Sequence, residues 1–471
     1  MRHPLIAVTA ALAFALMTGG LAGAPAAAAE TATTFINSGQ SLGLGVSFST
    51  ELADLDGDDD LDLFIINYWA ASSVWMNDGS GYFADTYQSF GTTSGHGVDL
   101  GDLDGDDDID AFLVFLEGSS WVLLNNGSGQ FADTGQRLGT AADNQGFVSL
   151  ADLDGDDDLD AAVHQYENPN RIWLNDGSGT FTAGPALGDA TSGPMALGDL
   201  DGDLDIDIFM MNTGGSGVWL NDGTGNFTDT GQRLGYTDSW GDVEVGDLDG
   251  DTDLDAIVTN QAHGSSVWLN DGAGNFAPGE THASEGTEKI DLGDLEGDGD
   301  LDAFTTNYVA TNKVWLNDGG AGFTPVDSLF GSGAVSITAA DMDDDGDLDV
   351  IVGRLDGYGH TSVYFNTTPS AGIRHEDATP PDALIRVNGL NPFGRDVEIL
   401  YRVPYTGAVS LALFDVRGRE VRALASGAHR AGEYSALLDG KGLSSGVYLC
   451  RLEVKGGSRP SIETVKIVYA R

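Results

Sequence analysis

One acidic string dominates the sequence. Asp-Leu-Asp-Gly-Asp-Asp-Asp-Leu-Asp at 54–62 returns with small changes beginning at Asp102, Asp152, Asp199, Asp247, Asp294 and Asp341. The seven starts are 48, 50, 47, 48, 47 and 47 residues apart. That period suits a four-stranded blade and is too long for a leucine-rich turn. Each copy runs in the same order, which is plain in the fifth. A short alternating segment, Val243 to Gly246, precedes the acidic loop, and an apolar run, Leu254 to Thr259, follows it. Val267-Trp268-Leu269-Asn270 comes next, and Asp271-Gly272 turns the chain towards Phe276. The expected fold is therefore all-β, a seven-bladed β-propeller whose acidic loops join the first and second strands of each blade, followed by an immunoglobulin-like β-sandwich. A small residue precedes every loop (Ala53, Gly101, Ala151, Gly198, Gly246, Gly293, Ala340), which fits an innermost strand crowded around an axis.

The ends of the array are out of phase. The last copy stops at Val363-Tyr364-Phe365-Asn366 without its final hairpin, and an orphan segment, Phe35 to Gly43, resembles the fourth strand of other copies, such as Phe227 to Gly235. The N-terminal strand is thus expected to complete the last blade and remove two open sheet edges. Ahead of it, basic Arg2 and His3, an apolar run from Leu5 to about Met17 and small residues through Ala29 read as a signal peptide over 1–29, with no integral membrane span after its removal. The expected domains are the propeller at 30–366, a linker at 367–383 and the sandwich at 384–471. With 74 acidic residues against 21 Lys and Arg, the chain carries a formal charge of -53, which excludes nucleic acid as a partner and favours cations. A single cysteine, Cys450, leaves no intramolecular disulfide to stabilise an exported protein, and the thiol is expected to be buried packing.

The loops place carboxylates at alternate positions. They are Asp54, Asp56, Asp58, Asp60 and Asp62 in the first, and Asp102, Asp104, Asp106, Asp108 and Asp110 in the second. The third has Asp152, Asp154, Asp156, Asp158 and Asp160, and the fourth Asp199, Asp201, Asp203, Asp205 and Asp207. Asp247, Asp249, Asp251, Asp253 and Asp255 follow in the fifth, and Asp294, Glu296, Asp298, Asp300 and Asp302 in the sixth. The seventh has Asp341, Asp343, Asp345, Asp347 and Asp349. Alternating acids in a tight loop converge on one point, and a hard cation with six to eight oxygen ligands suits them; Ca2+ is the best candidate, up to seven ions in all. Bare, each pair of neighbouring charges costs on the order of a few kcal/mol at intermediate dielectric. An EF-hand is excluded, because the position of its bidentate Glu is held by Ile65, Leu113, Val163, Met210, Val258, Thr305 or Val352. Positions one, three, five and nine are the expected ligands, with the seventh residue offering its carbonyl. These loops and their spacing resemble the FG-GAP/VCBS repeats of integrin α-like propellers and their bacterial relatives, over residues 33 to 366. The resemblance implies a calcium ion between the first and second strands, on the face opposite the usual ligand surface. At the sixth loop position Leu204 and Thr252 resist the positive φ that Gly299 and Gly346 accept, so those two loops are expected to bind more weakly or turn differently.

A ligand face is expected on the other side, where aromatics fall outside the repeat: Tyr68, Trp69, Tyr166, Trp240, Tyr308, Tyr358 and His360. The repeated Trp75, Trp173, Trp219, Trp268 and Trp315 read as packing between blades. No motif places a nucleophile, acid or base, and His96, His164, His263, His282 and His360 share no spacing and read as solvated. The expected role is a binding or adhesion module for glycan or protein ligands. A calcium-dependent polysaccharide lyase or hydrolase is the enzymatic alternative. Beyond the linker, Asn391-Pro392-Phe393, Phe414 to Val421, Ser445 to Tyr448 and Lys466 to Val468 resemble the C-terminal domains of the FlgD-like and type IX secretion sorting families. That resemblance implies passage through a secretion machinery to the outside or the outer surface of a bacterium.

Overall fold

The structure is a computed structural model that describes residues 35–367 and 385–469, except 44, 92–93, 190–191, 236–240, 261–263, 283–286, 308–309, 327–330, 356–359, 389–395, 404–406, 416–418, 431, 442, 444–445 and 456–460. The leader at 1–29, most of the linker and the Asn391-Pro392-Phe393 string lie outside them. The described elements are all strands.

Residues 35–366 form seven antiparallel sheets of four strands each. The third is typical, with Gln145–Ala151 innermost, then Asp160–Gln165, Asn170–Leu174 and Thr182–Leu187 at the rim. Second strands are buried along nearly their whole length, as in Asp62–Asn67, Asp110–Phe115 and Asp302–Asn307, because a neighbouring sheet covers each face. This is why they read as unbroken apolar runs and not as alternating ones. Six sheets are contiguous in sequence, while the seventh takes Phe35–Asn37 as its rim strand, paired antiparallel with Thr361–Asn366. The innermost strands of successive sheets touch one another in cyclic order, and those of the seventh and first sheets meet through Thr338 Oγ1 to Thr50 O (2.7 Å) and Ser336 Oγ to Ser47 O (3.1 Å). The architecture is a β-propeller.

The small residue before each loop has a more specific cause than crowding at the axis. A Cβ on Gly101, Gly198, Gly246 or Gly293 would come within 2.5 to 2.6 Å of the side chain of Leu159, Leu254, Leu301 or Leu348, the eighth loop residue of the next sheet. Adjacent sheets are also clasped, at six of the seven junctions, by the Asn that ends the third strand. Asn125 Nδ2 donates to Leu55 O of the preceding sheet at 2.8 Å and to Ile109 O of its own at 3.0 Å. Asn175, Asn221, Asn270 and Asn317 repeat the clasp on Leu103, Leu153, Leu200 and Leu248. Asn77 makes it from the first sheet to Met342 O of the seventh, at 2.9 Å. The ring is closed by the same bond that builds it.

Residues 385–469 form a three-stranded sheet (Ile385–Asn388, Asp396–Val403, Gly432–Asp439) and a four-stranded one (Glu420–His429, Gly407–Asp415, Gly446–Lys455, Ser461–Tyr469). Both contribute to one core, in which Val397, Ile399 and Leu438 meet Leu411, Leu413 and Leu452. Cys450 is fully buried there, and burial pushes its thiol up to about 12, so it is inert packing.

Removing the Asn77 side chain leaves the buried Met342 carbonyl unpaired, a loss of about 1–3 kcal/mol. Asn77→Ala is expected to lower the melting temperature as much as Asn175→Ala does, measured by thermal unfolding in calcium. A negligible effect at Asn77 alone would mean that the seventh and first sheets are not clasped.

Candidate metal centres and binding face

Each acidic loop is organised by its own first residue. Asp54 Oδ1 accepts from Gly57 N (2.8 Å) and Asp58 N (3.2 Å), and Oδ2 from Asp59 N (3.1 Å). The second, third and fourth loops repeat all three bonds, with Asp102, Asp152 and Asp199 as acceptors. In the fifth, Asp247 holds Gly250 N and Thr252 N; in the sixth and seventh, Asp294 and Asp341 hold the backbone of residues 298–299 and 345–346. Leu204 and Thr252 do not turn differently. Their φ values of 77° and 80° match the 75° of Asp59, and their amides make the same bond to the first-position carboxylate. The turn is dictated by that acceptor, and at the tip of the loop the Leu204 side chain stands clear in solvent.

The ninth residue is the deepest. Asp62 Oδ2 accepts from Leu55 N (3.1 Å) and Oδ1 from Asn77 N (2.8 Å), tying the loop to the third strand. All seven loops repeat the pair, through Asp110, Asp160, Asp207, Asp255, Asp302 and Asp349. Burial raises these carboxyls, to about 7 in Asp62 and Asp349 and about 6 in the others, although the amide bonds pull the other way.

The third residue has different surroundings. Oδ1 of Asp56, Asp104, Asp154, Asp201, Asp249 and Asp343 is buried and meets no hydrogen-bond donor. Burial and the fifth- and first-position carboxylates raise its pKa, as in Asp56. Carboxylate oxygens from Asp54, Asp56 and Asp58 lie within 4.8 Å of one another, as do those of Asp102, Asp104 and Asp110, of Asp152, Asp154 and Asp160, of Asp199, Asp201 and Asp203, and of Asp247, Asp249 and Asp251. A buried anionic oxygen without a donor, repeated in six loops and surrounded by like charge, is the environment that a cation relieves; the donor set fits a hard metal ion. The seventh residue points elsewhere. The carboxylates of Asp60, Asp108, Asp158, Asp205, Asp253 and Asp300 lie over the hairpin glycines Gly79, Gly127, Gly177, Gly223, Gly272 and Gly319, where a Cβ would come within 2.6 Å of them.

The loops that join second to third strands lie at the other end of the sheets. There Tyr68, Trp69 and Tyr166 belong to one aromatic group around the axis. Tyr68 contacts Trp69 and Phe48 at 5.8 and 5.3 Å between centroids, and Phe48 lies 4.7 Å from His96. His96 in turn meets Phe147 and Tyr166 at 5.0 and 5.7 Å, and His164 stacks on Phe147 and meets Tyr166. His96 and His164 therefore converge, and they are buried, not solvated. Trp69 is 66% exposed and is the accessible plane of the group. Trp240, Tyr308 and Tyr358 lie outside the described residues, and His360 sits apart, with Nδ1 3.4 Å from Gly43 O. Phe48 and Phe147 were not marked by sequence, and His96 was read as solvated, because β-bulges at 47–49, 95–97 and 145–148 break the alternation of the innermost strands and re-aim their side chains.

Below this mouth is an axial cavity of about 360 Å³, lined by Glu51, Asp99, Asp242, Glu244 and Asp291 with Lys289. Lys289 Nζ is 3.1 Å from Asp242 and 3.5 Å from the centre of the Phe147 ring. Asp99 and Asp291 reach across to the next innermost strand, accepting from Leu150 N and Ala339 N at 2.7 Å. Burial raises both to about 6, and burial together with neighbouring carboxylates raises Glu51 and Glu244 well above their ordinary value. Burial lowers His96 to about 4 and His164 to about 3, so both imidazoles are neutral at physiological pH.

The chain belongs to the FG-GAP-like repeat family, whose model matches residues 54–113, 102–163, 152–210, 199–258, 247–305 and 294–352. No curated protein matches it. Among solved structures it is similar to BBS1N from a complex with ARL6DN soaked with mercury, at 8% identity and TM-score 0.50, covering 72% of this chain and 99% of that one; the likeness is one of fold alone. It is also similar to an Agrocybe aegerita lectin described by its specific recognition of non-reducing terminal N-acetylglucosamine, at 25% identity and TM-score 0.46, covering 61% and 81%. A third is the Photorhabdus luminescens Tc holotoxin pore, at 16% identity and TM-score 0.36, covering 83% of this chain and 20% of that one.

A carboxyl whose pKa is raised by folding contributes stability that is fully present below its unfolded value of about 4 and is lost as pH rises through the folded value. Glu51→Gln with Glu244→Gln is therefore expected to raise the melting temperature by roughly 3 °C at about pH 7.5 and leave it unchanged at about pH 4. The check is a melt at fixed, saturating calcium; a lower melting temperature near neutrality would mean that these carboxylates are held ionised by a counter-charge.

Proposed function

We propose that the chain is a calcium-loaded, seven-bladed propeller over 30–366, secreted or carried on the outer surface of a bacterium, that binds glycan or protein ligands at its axial mouth. Calcium is held in each loop by the first, third, fifth and ninth residues, with the carbonyl of the seventh. The repeated donorless oxygen of the third residue supports this most directly. Chelation is expected to lower the melting temperature by about 10 °C or more, because each ion binds the folded loop only. An unchanged melting curve in excess EDTA would count against calcium.

The binding role rests on one observation, the convergence of Trp69, Tyr68, Phe48, His96, Phe147 and Tyr166 from three sheets at the mouth. Loops and bulges on a rigid ring that present an exposed indole above a packed aromatic floor suit recognition. A general base works best with a pKa near the working pH, and imidazoles at about 3 and 4 are far from that, which favours binding over catalysis. Trp69→Ala is expected to abolish retention on the cognate ligand, found by glycan array and by capture of surface protein, while leaving the melting temperature within a degree. Turnover of a polysaccharide by the calcium-loaded chain would overturn the reading in favour of a lyase or hydrolase.

The two-sheet C-terminal unit, 384–471, is proposed to be an immunoglobulin-like, FlgD-like sorting domain that engages the secretion machinery after the linker at 367–383. Deleting it is expected to leave the propeller in the periplasm, by fractionation of the producing cell; unaltered export would reject that role.

A further inference from the structure

One level of the axis carries four carboxylates. Three residues before each acidic loop, the innermost strands present Glu51, Asp99, Glu244 and Asp291 in four sheets and Ser149, Ala196 and Thr338 in the other three, all at the same register against their second strands. The two aspartates are occupied by the ring itself. Asp99 Oδ1 and Oδ2 accept from Leu100 N (2.8 Å) and Leu150 N (2.7 Å), and Asp291 Oδ1 and Oδ2 from Leu292 N (2.9 Å) and Ala339 N (2.7 Å), which ties each strand to the next. Glu51 and Glu244 are one methylene longer and accept no hydrogen bond from any described residue; burial and neighbouring charges are all that act on them. They belong to the first and fifth sheets, nearly opposite in a ring of seven, and both line the axial cavity.

The same cavity already holds one ammonium. Lys289 reaches from the sixth sheet to Asp242 beside the fifth, at 3.1 Å, and to the Phe147 ring of the third, at 3.5 Å from its centre. A carboxylate on one side and an aromatic face on the other suit an organic cation. That single charge does not satisfy the level below it. Burial first, and then the neighbouring carboxylates, hold Glu51 and Glu244 well above their ordinary range in spite of Lys289. Two enclosed acids without donors call for a further cation, which the described residues do not supply. The cavity, about 360 Å³, is within the range of small-molecule pockets and far larger than a bare metal ion requires. Hydroxyl-bearing residues, Ser49, Ser149 and Thr338, share its wall with the two glutamates.

We propose that the axial cavity binds the ammonium group of an amino sugar between Glu51 and Glu244. An ammonium has three donors and no acceptor, which matches two carboxylates that lack donors. An amino sugar carries that charge beside hydroxyls able to pair with the hydroxyl-bearing wall, whereas a lysine side chain would set bare methylenes against it. At the mouth above, the exposed Trp69 indole offers its face to a following ring. The inference rests on the reading of the axial mouth as the binding site and narrows its ligand to a saccharide with a free amine.

The test uses the calcium-loaded full chain near neutral pH, titrated calorimetrically with a glucosamine trimer, with its fully N-acetylated counterpart and with trilysine. The free-amine trimer is expected to bind about tenfold or more tighter than either of the others. Glu51→Gln with Glu244→Gln, which keeps the shape of the wall and removes both charges, is expected to weaken the free-amine trimer about tenfold or more. Melting curves without ligand confirm that this variant folds, and should it not fold, Glu244→Gln alone decides. The proposal is overturned if the free-amine trimer does not bind, if the N-acetylated trimer or trilysine binds as well, or if binding survives the glutamine variant. An N-acetylated trimer that is lost with Trp69→Ala and kept by the glutamine variant would overturn the ammonium site while leaving the mouth as a binding site.

Discussion

The ninth loop aspartate is the constraint from which the rest of the ring follows. Its two oxygens are occupied by the amide of the second loop residue and by the amide of the Asn that ends the third strand, as Asp62 shows with Leu55 and Asn77. Once the Asn is fixed, its side chain reaches the second-residue carbonyl of the preceding sheet. One carboxylate therefore joins the loop to its own sheet and, through the Asn, to the preceding one. Six such links, from Asn77, Asn125, Asn175, Asn221, Asn270 and Asn317, tie each of these sheets to its neighbour's loop. The arrangement concentrates negative charge where burial already raises the carboxyls, so the geometry that builds the ring also creates the demand for cations.

The two ends of the sheets are consequently different. Loops between first and second strands are locked by hydrogen bonds that recur from sheet to sheet, and even Leu204 and Thr252 are held in the common turn. The other end is not bound by the repeat. There the bulged innermost strands bring Phe48, His96 and Phe147 to the axis, and the fourth sheet leaves Gly217 where its counterparts carry side chains. Regularity at the acidic end frees the opposite end to vary without loss of the fold.

Much of this was legible in the residues. The period and internal order of the copies marked four-stranded units and the acidic loops, and the phase offset at Phe35 pointed to the strand that pairs with Thr361–Asn366. Alternating runs beyond the linker marked strands such as Gly446–Lys455. The terminal Asn of each third strand was visible as a repeat, but its role depends on a carbonyl about 70 residues earlier, or 265 later for Asn77, which no local pattern reports. The small residues before the loops were attributed to the axis, whereas the atoms they avoid belong to a leucine of the next sheet. The convergence of His96 with His164 was hidden because a one-residue bulge inverts which side of a strand faces the centre. Spacing cannot show that.

The central claim is that each of these loops holds a divalent ion. Elemental analysis of the purified chain, dialysed against millimolar calcium and then against metal-free buffer, tests it most directly. The account predicts close to seven calcium ions retained per chain, lowered by one when Asp154 is changed to Asn. A folded, monodisperse chain with no bound calcium would contradict it.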